Sequence, residues 1–345
     1  MRRLFLVFFV ALALPGLARG QMPEPTRQPA EMTPAHEALI KEGMGLHDQG
    51  QFDQAAAKYR EVLAESPSNV VALFELSYAQ LAQQEFDQVL ETARQGVGFK
   101  STLLPMFYDM MASAYEGKGQ PQQAIETYQQ GIARAPDAAL LYHNMAVTYR
   151  ERLHDTEGTR QALKKAASLA PRHPGIQLFL AKAFEDGGYS TPALLALSTY
   201  LTYEPYGAQS LDAYSLWRAL LREPLQPSNG AEGDFPATDR FIVVSNRQMR
   251  ARIDEGTSEV ASLVQQVEAV FATLRVDPDA SSASFTGTHY VPFFMALREQ
   301  HFVDVFVYWA SQRAPVEGVR EWLTSNQDRV RQFLEWATQY PWPNP

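Results

Sequence analysis

The stretch "GQFDQAAAKYREVLAESPSN", residues 50–69, returns in altered spelling as "GQPQQAIETYQQGIARAPD", residues 119–137. Each copy opens on a glycine turn, places an alanine four residues before a tyrosine, and closes on a proline. The closing prolines recur at Pro67, Pro136, Pro171 and Pro205. The first gap is double the other two, so the period becomes steady if Ser101 fills the empty slot. Self-similarity at this spacing predicts stacked helical hairpins, each unable to bury its apolar face alone. The competing reading, an irregular helical bundle, does not keep a fixed period.

Five units follow the pattern. In the first, Leu39, Gly43 and Leu46 mark one helix, Gly50-Gln51 the turn, and Phe52, Ala55, Tyr59 and Leu63 a second helix before Pro67. Small residues at Gly43 and Ala55 let the two helices approach, while Tyr59 and Leu63 fill the space beside them. These residues resemble the tetratricopeptide repeat family, and the resemblance runs over residues 36–205. The third unit (Tyr108, Ala112, Tyr115, Gly119, Ala124, Tyr128, Ile132, Pro136) and the fifth (Leu180, Ala181, Phe184, Ala193, Leu197, Pro205) match well. The second departs by placing Val89 where the packing alanine belongs and Ser101 where the proline belongs. The fourth keeps Tyr142, Ala146 and Tyr149 but has a looser turn, "HDTEGTRQ", one residue longer than the others. The fold this implies is all-α: a solenoid of about five hairpins followed by a small helical domain.

Ahead of the repeats, Met1-Arg2-Arg3 precedes the apolar run Leu4–Leu14, which Pro15 and Gly16 end. A basic start, a short apolar core and small residues at Ala18 and Gly20 predict a secretory signal over residues 1–20, cut before Gln21. The apolar run falls well short of the roughly 20 residues that span a bilayer. The expected product is an exported, periplasmic or secreted protein without an integral span. Residues 21–35, rich in proline, read as a flexible leader. Cysteine is absent, so neither disulfides nor a lipid-modified cysteine contribute. Loss of Arg2, Arg3 and Arg19 with the signal moves the formal charge from −9 to −12. That acidity argues against nucleic acid or an anionic membrane as principal partner.

Beyond Pro205, Leu211, Tyr214, Trp217 and Leu221 lie on one helical stripe and predict a solvating helix that caps the stack. Residues 224–240 read as the rest of a capping-and-linker segment, 206–240, and residues 241–345 as a helical domain of unassigned role. Within it "FIVVSN" from Phe241 fits a short strand or a helix start equally. A helix is expected over Val260–Leu274, a break over Pro278–Gly287, a new helix from Pro292, and two more around a break near Asn326 with Ser325 as N-cap. The aromatic run Phe293–Trp309 reads as core.

Chemistry is thinly represented. No His-Glu-x-x-His, Gly-x-Ser-x-Gly or phosphate-cradling loop occurs, and Gly117-Lys118 continues into Gly119 without Ser or Thr. His301 and Asp304 are one helical turn apart, too few ligands for a zinc site. His289-Tyr290, read as a loop in "TGTHYVP", is expected to pack or cap. No catalytic residue, metal or cofactor is therefore expected.

The repeat resemblance implies a partner-binding concave face carrying Ile40, Met44 and His47; Phe74, Tyr78 and Leu81; Asp109, Ser113 and Glu116; His143, Val147 and Arg150; and Leu178, Lys182 and Glu185. The expected contact set is Ile40, Met44, Phe74, Tyr78, Asp109, His143, Arg150 and Lys182, taking a protein or peptide segment with apolar anchors at one end and charged ones at the other. An alternative has the apolar residues of the first two units covered by the leader or by a sister chain. An envelope-assembly component, or an enzyme with its site in residues 241–345, are the rival functions.

Overall fold

The computed structural model describes residues 22, 24–223, 236–254, 256–274 and 284–343. The expected signal, and residues 224–235 of the expected linker, lie outside the described residues. The chain forms two compact units, Met1–Gly119 and Gln120–Pro345.

The first unit contains α1 (Pro34–Asp48), α2 (Phe52–Glu65), α3 (Val70–Ala82), α4 (Phe86–Val97) and α5 (Leu104–Gly117). Local chemistry sets the starts. Thr33 and Asn69 accept from the amides of His36 and Ala72, capping α1 and α3, and Pro34 and Pro105 occupy first-turn positions where no amide is needed. Between α1, α2 and α3 lies a core of Ile40, Ala55, Ala56, Tyr59, Val62, Ala72, Leu76 and Ala79. Val89 fills the alanine slot of the second hairpin fully buried. Space is regained opposite, where the rings of Phe107 and Phe86 press against Gly96 and Gly117.

The leader differs from its expectation. Arg27 pairs with the chain at Phe99: its amide donates to Gly98 O (3.1 Å), its carbonyl accepts from Lys100 N (2.8 Å), and its guanidinium covers the Phe99 ring at 4.0 Å. Ala30 N donates to Ser68 O at 3.0 Å. A proline-rich segment prefers extended backbone with unpaired carbonyls and amides, which is the form that can lie along helix ends.

The second unit contains α6 (Pro121–Arg134), α7 (Ala139–Thr148), a π-helical turn (Tyr149–Leu153), α8 (Thr156–Leu169), α9 (Pro174–Asp186), α10 (Ser190–Tyr203) and α11 (Ser210–Arg222), then α12 (Pro236–Asp254), α13 (Glu259–Phe271), α14 (Phe285–His289), α15 (Val291–Glu299), α16 (Val303–Ala310), α17 (Val319–Ser325) and α18 (Gln327–Gln339). The π turn absorbs the extra residue of the fourth repeat by widening the end of α7.

One backbone feature repeats through all five hairpins. Left-handed residues stand at Gly50, Gln84, Gly119, His154 and Gly188, one to each repeat and in the same phase. Units two and four thus keep the turn of the others although Gln84 and His154 stand where glycine would be free of strain.

The expected end cap is not one. In α11, Trp217 is fully buried, donates to Ser198 Oγ at 2.9 Å and meets Phe306 of α16 edge-on at 5.9 Å. Later helices cover its apolar stripe, so it is an interior layer. Under it, α10 is buried at every position from Ser190 to Thr202, packed among α9, α11, α12 and α16. A helix apolar on all sides belongs in an interior. Three of its polar side chains are satisfied locally, Ser198, Thr199 and Thr202 donating to carbonyls four residues back, while Thr191 donates to Asp239 Oδ1 of α12 at 2.6 Å.

"FIVVSN" lies within α12. Residues 278–283 of the expected break lie outside the described residues, but "TGTHYVP" forms α14 and the start of α15 instead of a loop, with Ser284 Oγ accepting from Gly287 N at 3.0 Å. The break near Asn326 is present, yet Asn326, not Ser325, is the flanking residue, and it makes no side-chain cap. Phe293, Phe294 and Phe306 are fully buried, as core.

Candidate functional site

In the first unit, α1 and α3 bring several of the expected face residues together. Positions 40, 44 and 47 share one side of α1, and 74 and 78 one side of α3. Ile40 does not reach the surface: it is 5% exposed and part of the core. Met44 and Tyr78 do, at 47% and 45% exposure. The His47 ring stacks on Tyr78 (4.6 Å between centroids, 21° between planes) and meets Phe52 at 4.9 Å. Phe74 lies parallel to Tyr78 at 6.4 Å and edge-on to Phe107 at 6.1 Å.

The result is a continuous row, Phe107, Phe74, Tyr78, His47, Phe52, of which the repeat resemblance assigns the middle three to the face. Phe52 is marked in the sequence only as a second-helix residue, and Phe107 is marked by no repeat position. Within this row His47 Nε2 is buried without a hydrogen-bond partner. Burial first and Asp48 second hold the Glu75 carboxyl above its usual range. Asp109, on α5, is half-buried. The leader's hydrogen bonds and ring contacts among the described residues fall at residues 68–69, 95 and 98–100, and Tyr78 is 45% exposed.

In the second unit, Phe179 gathers two of the expected residues. His143 meets its edge at 5.9 Å, and the Arg150 guanidinium lies 5.2 Å from its centroid. Burial, then His173, lowers the His143 pKa. Arg150, expected as a charged contact, is already paired within its own unit. Its Nη2 pairs with Asp186 at 3.1 Å and its Nε approaches Glu151 at 3.7 Å, leaving Nη1 buried and unpartnered. Lys182 is half-buried one turn from Asp186, and Leu178, at 5% exposure, joins the core. The π turn places Arg150, Glu151 and His154 around an open depression of about 400 Å³ that Thr159 and Asp186 complete.

Residues 46–98 and 107–137 each match a family profile described as tetratricopeptide repeat. These hairpins are tetratricopeptide repeats. Over 113 residues the chain is 33% identical to mouse (Mus musculus) "WD and tetratricopeptide repeats protein 1", covering 32% of this chain and 16% of that protein. The chain thus spans about one sixth of the length of this curated relative. Among solved structures, a thermophilic tetratricopeptide repeat protein of Thermus thermophilus aligns at 23% identity and TM-score 0.42, over 54% of this chain and 98% of its own. PilF of Pseudomonas aeruginosa aligns at 16% identity and TM-score 0.45, over 65% of this chain and 93% of its own.

Downstream of the tetratricopeptide hairpins, the chemically suggestive residues do not assemble. His289 is 3% exposed, wrapped by the rings of Phe285 (4.8 Å), Tyr290 (4.9 Å) and Trp342 (4.9 Å), and burial pushes its pKa down to about 4. Tyr290 is fully buried and donates to Gln177 Oε1 at 2.5 Å. His301 follows α15 in a left-handed conformation with no ring contact to either. Asp304, its expected companion, is held by Arg329 (Nη2 to Oδ1, 3.0 Å). Among the described residues no cluster of three or more histidines and carboxylates is placed to hold a metal.

Proposed function

We propose that the protein is an exported, non-enzymatic scaffold that holds a segment of a partner protein on the faces of its tetratricopeptide first helices. The observation that carries this reading is the aromatic row of the first unit. Tyr78 and Met44 are solvent-facing, Phe74 and His47 stack with Tyr78, and His47 offers a ring nitrogen with nothing to bond to. An aromatic platform with one unsatisfied polar atom suits apolar anchor side chains plus a hydrogen bond from a bound segment. Phe74 and Tyr78 are the anchors; Met44 adapts to the shape of what they hold.

In the second unit, taken by itself, His143, Arg150 and Lys182 would offer a bound segment chiefly contact area, because the Arg150 charge is matched by Asp186. Asp109 would add an acidic contact on α5. Export rests on the residues at the start of the chain, Met1–Gly20. No helix among the described residues is long and apolar enough to cross a membrane.

Crosslinking of native envelopes followed by affinity recovery and mass spectrometry tests the reading. A partner recovered with the wild-type chain and lost with Phe74→Ala/Tyr78→Ala supports it. Unchanged recovery with that variant removes the aromatic row from the account.

A further inference from the structure

A second concavity lies among the C-terminal helices of the second unit, away from the repeat faces. It encloses about 420 Å³. That volume is in the usual range of small-molecule clefts. Trp309 and Tyr206 form one wall, their rings edge to face at 5.8 Å. The wall is fixed: Trp309 Nε1 donates to Thr202 O at 3.1 Å, and Arg313 Nη1 donates to the Tyr206 and Gly207 carbonyls at 3.1 and 2.8 Å. Leu323 and Val330 add apolar surface to the lining, and Gln312, Arg320, Thr324 and Gln327 supply polar groups.

Gln312 is the informative residue. Both its Nε2 and its Oε1 are buried, and neither has a hydrogen-bond partner. A buried amide left unsatisfied is destabilising, and two such atoms on one side chain are uncommon in folded proteins. Arg320 stands at the same cleft without an ion-pair partner among the described residues, and no carboxylate lines the cleft in a chain that is acidic overall.

We propose that this cleft binds a saccharide unit carrying a carboxylate. A primary amide presents a donor and an acceptor side by side, which matches two neighbouring ring hydroxyls, one accepting and one donating. The C–H face of a pyranose fits against Trp309 and Tyr206, and Arg320 matches a single carboxylate with a two-point contact. The cleft has one cation where a nucleotide phosphate would call for several. At about 420 Å³ the cleft is compact, where a peptide would call for a long groove or a strand edge. None of these groups belongs to the protein-binding face, so binding here stands or falls separately.

The experiment is calorimetric titration of the mature full-length protein with trigalacturonate, and with maltotriose, AMP and tri-alanine as comparators. Trigalacturonate is expected to bind selectively. Gln312→Leu should abolish that binding while leaving the thermal midpoint unchanged or higher, because the amide contributes nothing to the empty fold. Arg320→Gln, at an exposed position, should weaken binding by at least about tenfold without affecting folding. Absence of trigalacturonate binding overturns the proposal. So does equal or tighter binding of any comparator, or full binding by Gln312→Leu.

Discussion

Gly43 of α1 faces Tyr59 of α2 so closely that a Cβ added to the glycine would stand 2.6 Å from the tyrosine Cε1. Tyr59 is fully buried and has no room to retreat. Gly43→Ala should therefore cost about 1–3 kcal/mol through overpacking, read as a lowered denaturation midpoint. A neutral alanine would mean that the first hairpin is looser than this contact requires.

Tyr128 of α6 occupies the equivalent aromatic position and is 2% exposed. Tyr128→Ala should cost about 3–5 kcal/mol by leaving a cavity between helices, with exchange protection lost in adjacent hairpins as well. A loss below about 1 kcal/mol would place Tyr128 at the surface and the repeat phase out of register.

The repeats are legible because close helix approach demands a small residue opposite an aromatic, and that demand leaves a spacing such as Gly43, Ala55, Tyr59. What is not written as a spacing is lost. Gln84 and His154 complete the series of left-handed turns without a glycine to announce them. The stripe of α11 gives no sign that Phe306, far later in the chain, covers Trp217. In α10 the burial of all sides erases the amphipathic period that marks a helix face. On the candidate site, register alone places Met44 and Tyr78 on an accessible face, but it places Ile40 there too: it selects a side of α1, not how far a neighbour covers it. The pairing of Arg150 with Asp186, from different elements, has no sequence signature at all.

The C-terminal helices are tied to the last repeat by the hydrogen bond from Tyr290 Oη to Gln177 Oε1. Tyr290→Phe keeps the ring and strands the buried acceptor, so it should cost about 1–3 kcal/mol. Chemical denaturation of this variant against the wild type measures it, and a neutral result would show that Gln177 finds another donor.

Acid should weaken the second unit through His289. At pH 7 its imidazole is neutral in the folded protein and mostly neutral in the unfolded chain. As the pH falls below 6.5 the unfolded chain takes up a proton that the folded protein refuses until about 4. Stability is thus lost across that window, by about 3 kcal/mol if His289 acts alone. His289→Leu should flatten the dependence of the midpoint on pH below neutrality, leaving a residual slope from His143, whose pKa is also lowered. An unchanged slope would show that His289 reaches solvent.

The central claim, that the aromatic row of the first unit holds a partner segment, is tested most directly by measuring affinity for the crosslinked partner with Phe74→Ala/Tyr78→Ala, beside His289→Leu as a control. The account predicts a loss of about 2 kcal/mol or more for the first variant, with its fold intact by circular dichroism, and wild-type affinity for the second. Wild-type affinity for the first variant and loss of cellular function for the second would contradict it and move the functional centre to the C-terminal helices.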